Sequence, residues 1–239
     1  GLFAEVREGF LKQAPALDDV LANISAPKVS LVPFMASKGY ITDQVLPAKI
    51  AAKIAAKIPQ DSHAVVTEPV GTHPLILKTL QVKISGFLEA CKIGGINAGD
   101  ASVLIVGHGT AKGRSAADQL KALAAALPVA LSQAACPTAA EAVFLQQEPL
   151  LKDWRKVTDA GTVLVIPFLM SGGWHGTRDI PALLGLNPDD QGLAGLEESD
   201  KPAGPFELCR RRVYLFRPLG YEPVMTEIII ERALETQNT

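Results

Sequence analysis

The sequence has no uninterrupted apolar run of the roughly 18–20 residues that a helical membrane span needs. A surplus of one charge is also lacking. Lys and Arg total 23 against 25 Asp and Glu, a formal net charge of -2. Such a balance offers no basic surface to nucleic acid or to an anionic membrane. Cysteine is scarce: Cys91, Cys136 and Cys209 lie far apart with no C-x-x-C spacing. That excludes a thiolate cluster motif and fits buried, reduced thiols in the cytoplasm better than a disulfide framework. Two phosphate-binding motifs are missing as well. G-x-x-x-x-G-K-[ST] does not occur, and Gly107-His108-Gly109 runs on to Gly113 with one residue too many for G-x-G-x-x-G. A histidine ring also stands where a phosphate would need bare amides. The first residue is Gly1 rather than Met, so a removed or missing leading segment stays open.

What is present is ordinary globular material: 239 residues, 48% hydrophobic and 20% charged. The length suits one large or two small domains, each able to bury a core. The chain repeats itself. "FLKQAPALDDVLANISAPKVSLVPFMASKGYITDQVLP" from Phe10 aligns without a gap on "FLQQEPLLKDWRKVTDAGTVLVIPFLMSGGWHGTRDIP" from Phe144, an offset of 134. Further on, "EPVGTHP" aligns on "RPLGYEP" at an offset of 149. The extra residues of the second copy fall in 187–205, rich in Gly, Pro and Asp, which reads as a mobile surface flap. The repeat predicts a first unit over 1–98, without a counterpart of "ASVLIVGHGTAKGRSAADQLKALAAAL", and a complete one over 99–239.

Each unit alternates strand and helix. In the second, 103–106 is a continuous apolar run, as in a strand buried on both faces. Residues 114–126 have helical spacing, 143–145 a short strand, 150–157 a helix, 163–168 and 213–216 strands, and a helix starts at 224. That order predicts an α/β fold with an open parallel sheet flanked by helices in each lobe. "LPAKIAAKIAAKI" sets Lys49, Lys53 and Lys57 along one stripe beside Ile50, Ile54 and Ile58, a surface helix with a solvated basic face.

In an open parallel sheet, ligands sit beyond the carboxyl ends of the strands. His108 is at such an end. Gly107 and Gly109 on either side allow a tight turn and close approach to the backbone. In "IPFLMSGGWHGTRDIP" a second buried strand leads through Ser171, Gly172 and Gly173 to His175. Neutral imidazole is a good ligand for divalent first-row metals and a base near neutral pH. Two of the chain's four histidines thus point to one shared site, while His73 reads as structural and His63 as a surface residue.

These segments resemble the sirohydrochlorin chelatase family, the class II tetrapyrrole chelatases of sirohaem and cobalamin biosynthesis. The resemblance is carried by strand-"GHGT" at His108, "FLQQEP" at 144–149, "VIPFLMSGGWHGTRDIP" at 165–181 and "PLGYEP" at 218–223. It implies two similar lobes facing a cleft and insertion of Co²⁺ or Fe²⁺ into a tetrapyrrole, with His108 and His175 at the metal. The metal is substrate; no permanently bound cofactor is implied. Gly107, Gly109, Thr110, Gln146, Glu148, Ser171, Gly172, Gly173 and Arg178 are the implied substrate-binding residues. Metallation displaces two pyrrole N–H protons while the ion sheds water, so it needs a base and an open perch rather than a closed cage. The macrocycle's many carboxylates suit docking on Arg178 and Lys112.

The sequence departs from the family in three places. Many members have a glutamate after "FL", where this chain has Gln146. Ile41 stands in the first copy where His175 stands in the second. His73 aligns with Glu222. Gln146 and the one-sided site keep open a degenerate homologue that binds metal or tetrapyrrole without turnover, and the mid-repeat start keeps open a regulatory or structural lobe of a longer protein.

Overall fold

A computed structural model describes residues 1–57, 63–92, 98–110, 115–131 and 139–236. In chain order its elements are α1 (Leu17–Ala22), β1 (Lys28–Leu31), α2 (Leu46–Lys57), β2 (His63–Val66), α3 (Leu75–Lys92), β3 (Ala101–Gly107) and α4 (Ser115–Ala130). They continue with β4 (Ala139–Phe144), α5 (Trp154–Val157), β5 (Thr162–Pro167), α6 (Ile180–Leu184), β6 (Ala203–Leu208), β7 (Arg211–Leu215) and α7 (Val224–Glu235). The architecture is α/β, with parallel-rich sheets flanked by helices. β1 and β2 pair in parallel, and five further strands form a sheet in the order β4-β3-β5-β7-β6.

β3 is an interior strand between β4 and β5, and all seven of its residues are buried. Alternation sends Val103 and Ile105 to one face, with Leu120 and Leu127 of α4. Leu104 and Val106 go to the other, with Leu151, Trp154, Ile180 and Leu184. Each such Val, Leu or Ile contributes about 1.5–3 kcal/mol by leaving water. α1 and α2 cover the β1–β2 sheet through Leu17, Leu21, Leu46 and Ile50.

The aligned segments adopt the same elements. β1 begins at Lys28 and β5 at Thr162; a π-type turn covers Ile41–Val45 and another His175–Asp179; 3-10 turns cover Val70–Thr72 and Leu219–Tyr221. Packing, however, crosses residue 98. Ile76, Leu80, Ile84 and Leu88 of α3 are fully buried in the cluster of β3 and β5. Conversely, Ser30 Oγ on β1 donates to the Ala233 carbonyl of α7 at 3.2 Å.

Four expectations need correction. The larger sheet is not wholly parallel, because β6 runs antiparallel to β7. Segment 187–205 is not a free flap. It carries the 3-10 turn Gln191–Leu193, buries Leu196 in the core of the sheet and enters β6 at Ala203. Gly204 and Pro205 sit at a register irregularity on this edge strand, where a missing donor is tolerated. Residues 150–157 form a 3-10 turn and a single α turn rather than one helix. Of the thiols, Cys209 is exposed at the β6–β7 turn rather than buried, and Cys91 is half-buried. Cys136 and Lys112 lie outside the described residues.

Candidate active site

β3 and β5 are hydrogen-bonded neighbours, and both chemical loops leave their carboxyl ends. The first loop is forced by packing. A Cβ on Gly107 would stand 2.7 Å from Leu120 Cδ2 and 3.1 Å from the Phe144 ring. Gly107 is thus a packing glycine rather than an approach path for a ligand. Gly109 has φ +75°, a conformation that favours glycine, and a Cβ there would meet Gln147 Cγ at 2.8 Å. Between them the His108 ring is delivered to solvent. The segment after β4 runs alongside: Gln146 N donates to the His108 carbonyl at 3.1 Å, and Thr110 N donates to Gln147 Oε1 at 2.8 Å.

The second loop leaves β5 and closes into the π-type turn. Gly176 N donates to the Gly172 carbonyl at 2.7 Å, and Thr177 Oγ1 to the Gly173 carbonyl at 2.7 Å. His175 and Asp179 are the first and last residues of that turn, four apart, so their side chains share a face. His175 Nδ1 lies 2.6 Å from Asp179 Oδ2.

The two loops bring the imidazoles together. Their centroids are 4.8 Å apart, with the planes at 84°. The hydrogen bonds determine which nitrogen faces outward. His108 Nδ1 is 2.9 Å from the Gly109 carbonyl, which can only accept, so Nδ1 is the donor there and the neutral tautomer with its lone pair on Nε2 is the one this contact favours. The Asp179 carboxylate selects the same tautomer in His175. Two lone pairs on neighbouring, solvent-reaching rings can hold a divalent ion or accept protons. Among the described residues no group of three or more His, Cys, Asp or Glu is placed to hold a metal.

The other expected residues divide. Ser171 and Gly173 are exposed beside His175, and the space off Gly173 is open. A Cβ on Gly172 would run into the Glu197 carboxylate and lie 3.2 Å from Tyr221 Oη, which also accepts from Gly172 N at 3.2 Å. Arg178 pairs with Asp189 at 2.8 Å. Gln146 meets His108 through its backbone, and its side chain is exposed. Glu148 is turned away: its Oε2 accepts from Leu150 N at 3.2 Å. His73 is buried, with Nε2 3.1 Å from Glu231 Oε2, as a structural histidine would be. The His63 side chain lies outside the described residues.

Sequence reading missed Asp179, Gln147 and Glu197. Asp179 had a signal, the four-residue spacing in "HGTRD". Glu197 had none, because it comes from the inserted segment. Its Oε1 is buried and finds no hydrogen-bond partner among the described residues.

A family model described as CbiX matches residues 1–86 and 102–236. A protein of Halobacterium salinarum, named a probable sirohydrochlorin cobaltochelatase, is 25% identical over 98% of this chain and 81% of its own length. Two solved structures share the fold. One is a multi-domain Deinococcus radiodurans protein with structural similarity to chelatases, at TM-score 0.65 and 21% identity, covering 97% of this chain. The match spans 46% of that protein, so the chain corresponds to about half of it. The other is the sirohydrochlorin chelatase SirB of Bacillus subtilis subspecies spizizenii in complex with cobalt, at TM-score 0.63 and 16% identity, covering 96% of this chain and 80% of that one.

Proposed function

The chain belongs to the CbiX family, and on that premise we propose that it is a class II chelatase inserting Co²⁺ or Fe²⁺ into a sirohydrochlorin-type tetrapyrrole. The observation that carries this reading is the pair of imidazoles at 4.8 Å, each hydrogen-bonded at Nδ1 to an acceptor, which favours the tautomer whose Nε2 can bind an ion. His108 and His175 are the metal perch and the bases. The ion enters as substrate, held by few enough ligands to leave for the macrocycle. The two pyrrole protons pass to the imidazoles, and Asp179 stabilises the imidazolium formed at His175. Ser171, Gly173, Thr110 and Arg178 form the macrocycle side of the site.

The chemistry belongs to the 99–239 repeat. The 1–98 repeat supports it without a histidine pair, since Ile41 occupies the place of His175, and the macrocycle lies in a cleft between the two. A cytoplasmic reaction suits the free thiols Cys91 and Cys209; no described helix is long and apolar enough to cross a membrane.

The test is a spectrophotometric insertion assay with sirohydrochlorin and each of Co²⁺, Fe²⁺ and Ni²⁺. Acceleration with Co²⁺ or Fe²⁺, lost in H108A and H175A, is the expected result. No acceleration over the protein-free rate with any of the three metals would overturn the reading.

A further inference from the structure

The chain has two tryptophans, and they are used in opposite ways. Trp154 is 0% exposed, and its Nε1 donates to the Leu184 carbonyl at 3.3 Å. Trp174 is 71% exposed. A ring of that size left in water forgoes a large burial gain, and tryptophan is a residue type enriched at interfaces. Its place is specific. It immediately precedes His175, at the entry to the π-type turn. The Arg178 guanidinium, one turn on, lies 5.7 Å from its ring centroid. Arg178 is itself held by Asp189, a pair in which both side chains are largely exposed. A flat aromatic face and an exchangeable cation therefore stand together beside the imidazole pair.

The repeat separates what the aromatic serves from what the histidine serves. Tyr40 occupies the place of Trp174 in the first copy and is 70% exposed. It also immediately precedes a π-type turn, but that turn begins with Ile41. An exposed aromatic thus recurs where the imidazole does not. Holding the imidazole in place is not its purpose, because Asp179 and the backbone of the turn already do that.

We propose that Trp174 and Arg178 form a docking element for the macrocycle, the indole stacking on the flat conjugated ring and the guanidinium taking a peripheral carboxylate in exchange for Asp189. The inference rests on the chelatase reading and assigns the residues that select its organic substrate. A planar polycarboxylate satisfies both groups at once. A hydrated divalent ion satisfies neither, so the element distinguishes the two substrates of one reaction.

The experiment measures two affinities separately for the wild type, W174A, W174F and R178Q. Binding of metal-free sirohydrochlorin is followed by its absorbance, and binding of Co²⁺ alone by calorimetry. W174A is expected to weaken macrocycle binding about tenfold and to raise the macrocycle KM with little change in kcat. W174F should restore most of the loss, R178Q should weaken the macrocycle alone, and Co²⁺ binding should stay as in the wild type throughout. Unchanged macrocycle affinity in W174A would overturn the proposal. So would a W174A loss shared equally by Co²⁺, since the ring would then be supporting His175. A wild type that binds Co²⁺ through its histidines but no sirohydrochlorin would instead overturn the chelatase reading, and this inference with it.

Discussion

Asp179 Oδ2 lies 2.6 Å from Nδ1 of His175, four residues earlier in the same turn. This contact decides which nitrogen of His175 is offered to a substrate. A carboxylate accepts only, so Nδ1 is the donor in this contact, and the neutral tautomer it favours carries the lone pair on Nε2.

Replacing Asp179 by Asn keeps size and fold but removes that selection. An amide can also donate to Nδ1, which would place the proton on Nε2 and block it as a ligand. Partners of this kind typically change metal affinity or activity by about 10–100-fold. D179N should therefore weaken Co²⁺ binding on that scale while leaving sirohydrochlorin affinity and thermal midpoint near the wild type. Equal Co²⁺ affinities for D179N and the wild type would refute the positioning role.

The imidazoles themselves should be costlier to lose. H108A and H175A each remove a base, which typically costs about 10²–10⁴-fold in rate. His108 is fixed between two constrained glycines, so its loss should lie at the severe end. Both rings reach solvent, so unfolding midpoints should barely move. A folded H108A enzyme keeping most of the insertion rate would be decisive against the histidine mechanism.

Gly107 permits a prediction about the scaffold alone. A Cβ there meets Leu120 and Phe144 inside a packed layer. Overpacking of this kind costs about 1–3 kcal/mol. G107A should lower stability in denaturant by that amount. A G107A protein as stable as the wild type would show that the β3–α4 layer is looser than its geometry implies.

Much of this architecture was legible in the sequence because periodicity and repetition report burial directly. The run at 103–106 suited a two-sided strand, and the ungapped alignment that set Ile41 on His175 matched elements that the structure shows alike. Positions just past strand ends flagged His108 and His175. What escaped depends on contacts between distant segments. The 187–205 insertion looked like a flap because turn formers dominate it, yet Leu196 and the alternation from Ala203 anchor it to the sheet. Glu148 looked chemical but caps its own turn at Leu150. The docking of α3 on the larger sheet could not be read from local pattern. Its apolar stripe states that it is buried, and not against which strands.

The same exchange of helices produces a buried charge cluster, which supports a final prediction. Lys83 of α3 reaches Glu222, just before α7, at 2.6 Å, and Arg217 Nε meets the same carboxylate at 3.0 Å. The Arg217 and Glu222 side chains are only 7% and 9% exposed. Glu222 thus neutralises two cations from different parts of the chain. Its bond is the main cause that raises the Arg217 pKa, with burial opposing and Asp200 assisting. A raised folded-state value means that Arg217's contribution is fully present below the ordinary guanidinium range and is lost only above it. This contribution should therefore be flat across neutral and mildly alkaline pH. Removing the carboxylate is a different matter. E222A leaves Lys83 facing Arg217, which keeps its contact with the exposed Asp200 carboxylate, so the loss should lie toward the lower end of the about 3–5 kcal/mol that breaking a buried pair typically costs. His73, the repeat counterpart of Glu222, accepts from Leu75 N at Nδ1 and pairs with the half-exposed Glu231 at Nε2, with no buried charge pair between them, so H73A should cost less. The triple variant K83M/R217M/E222L should recover most of the E222A loss, because apolar groups of similar volume need no counter-charge. Urea denaturation of these three variants provides the measurement. If E222A and H73A were equally mild, Glu222 would not be the group that holds α3 to the loop before α7.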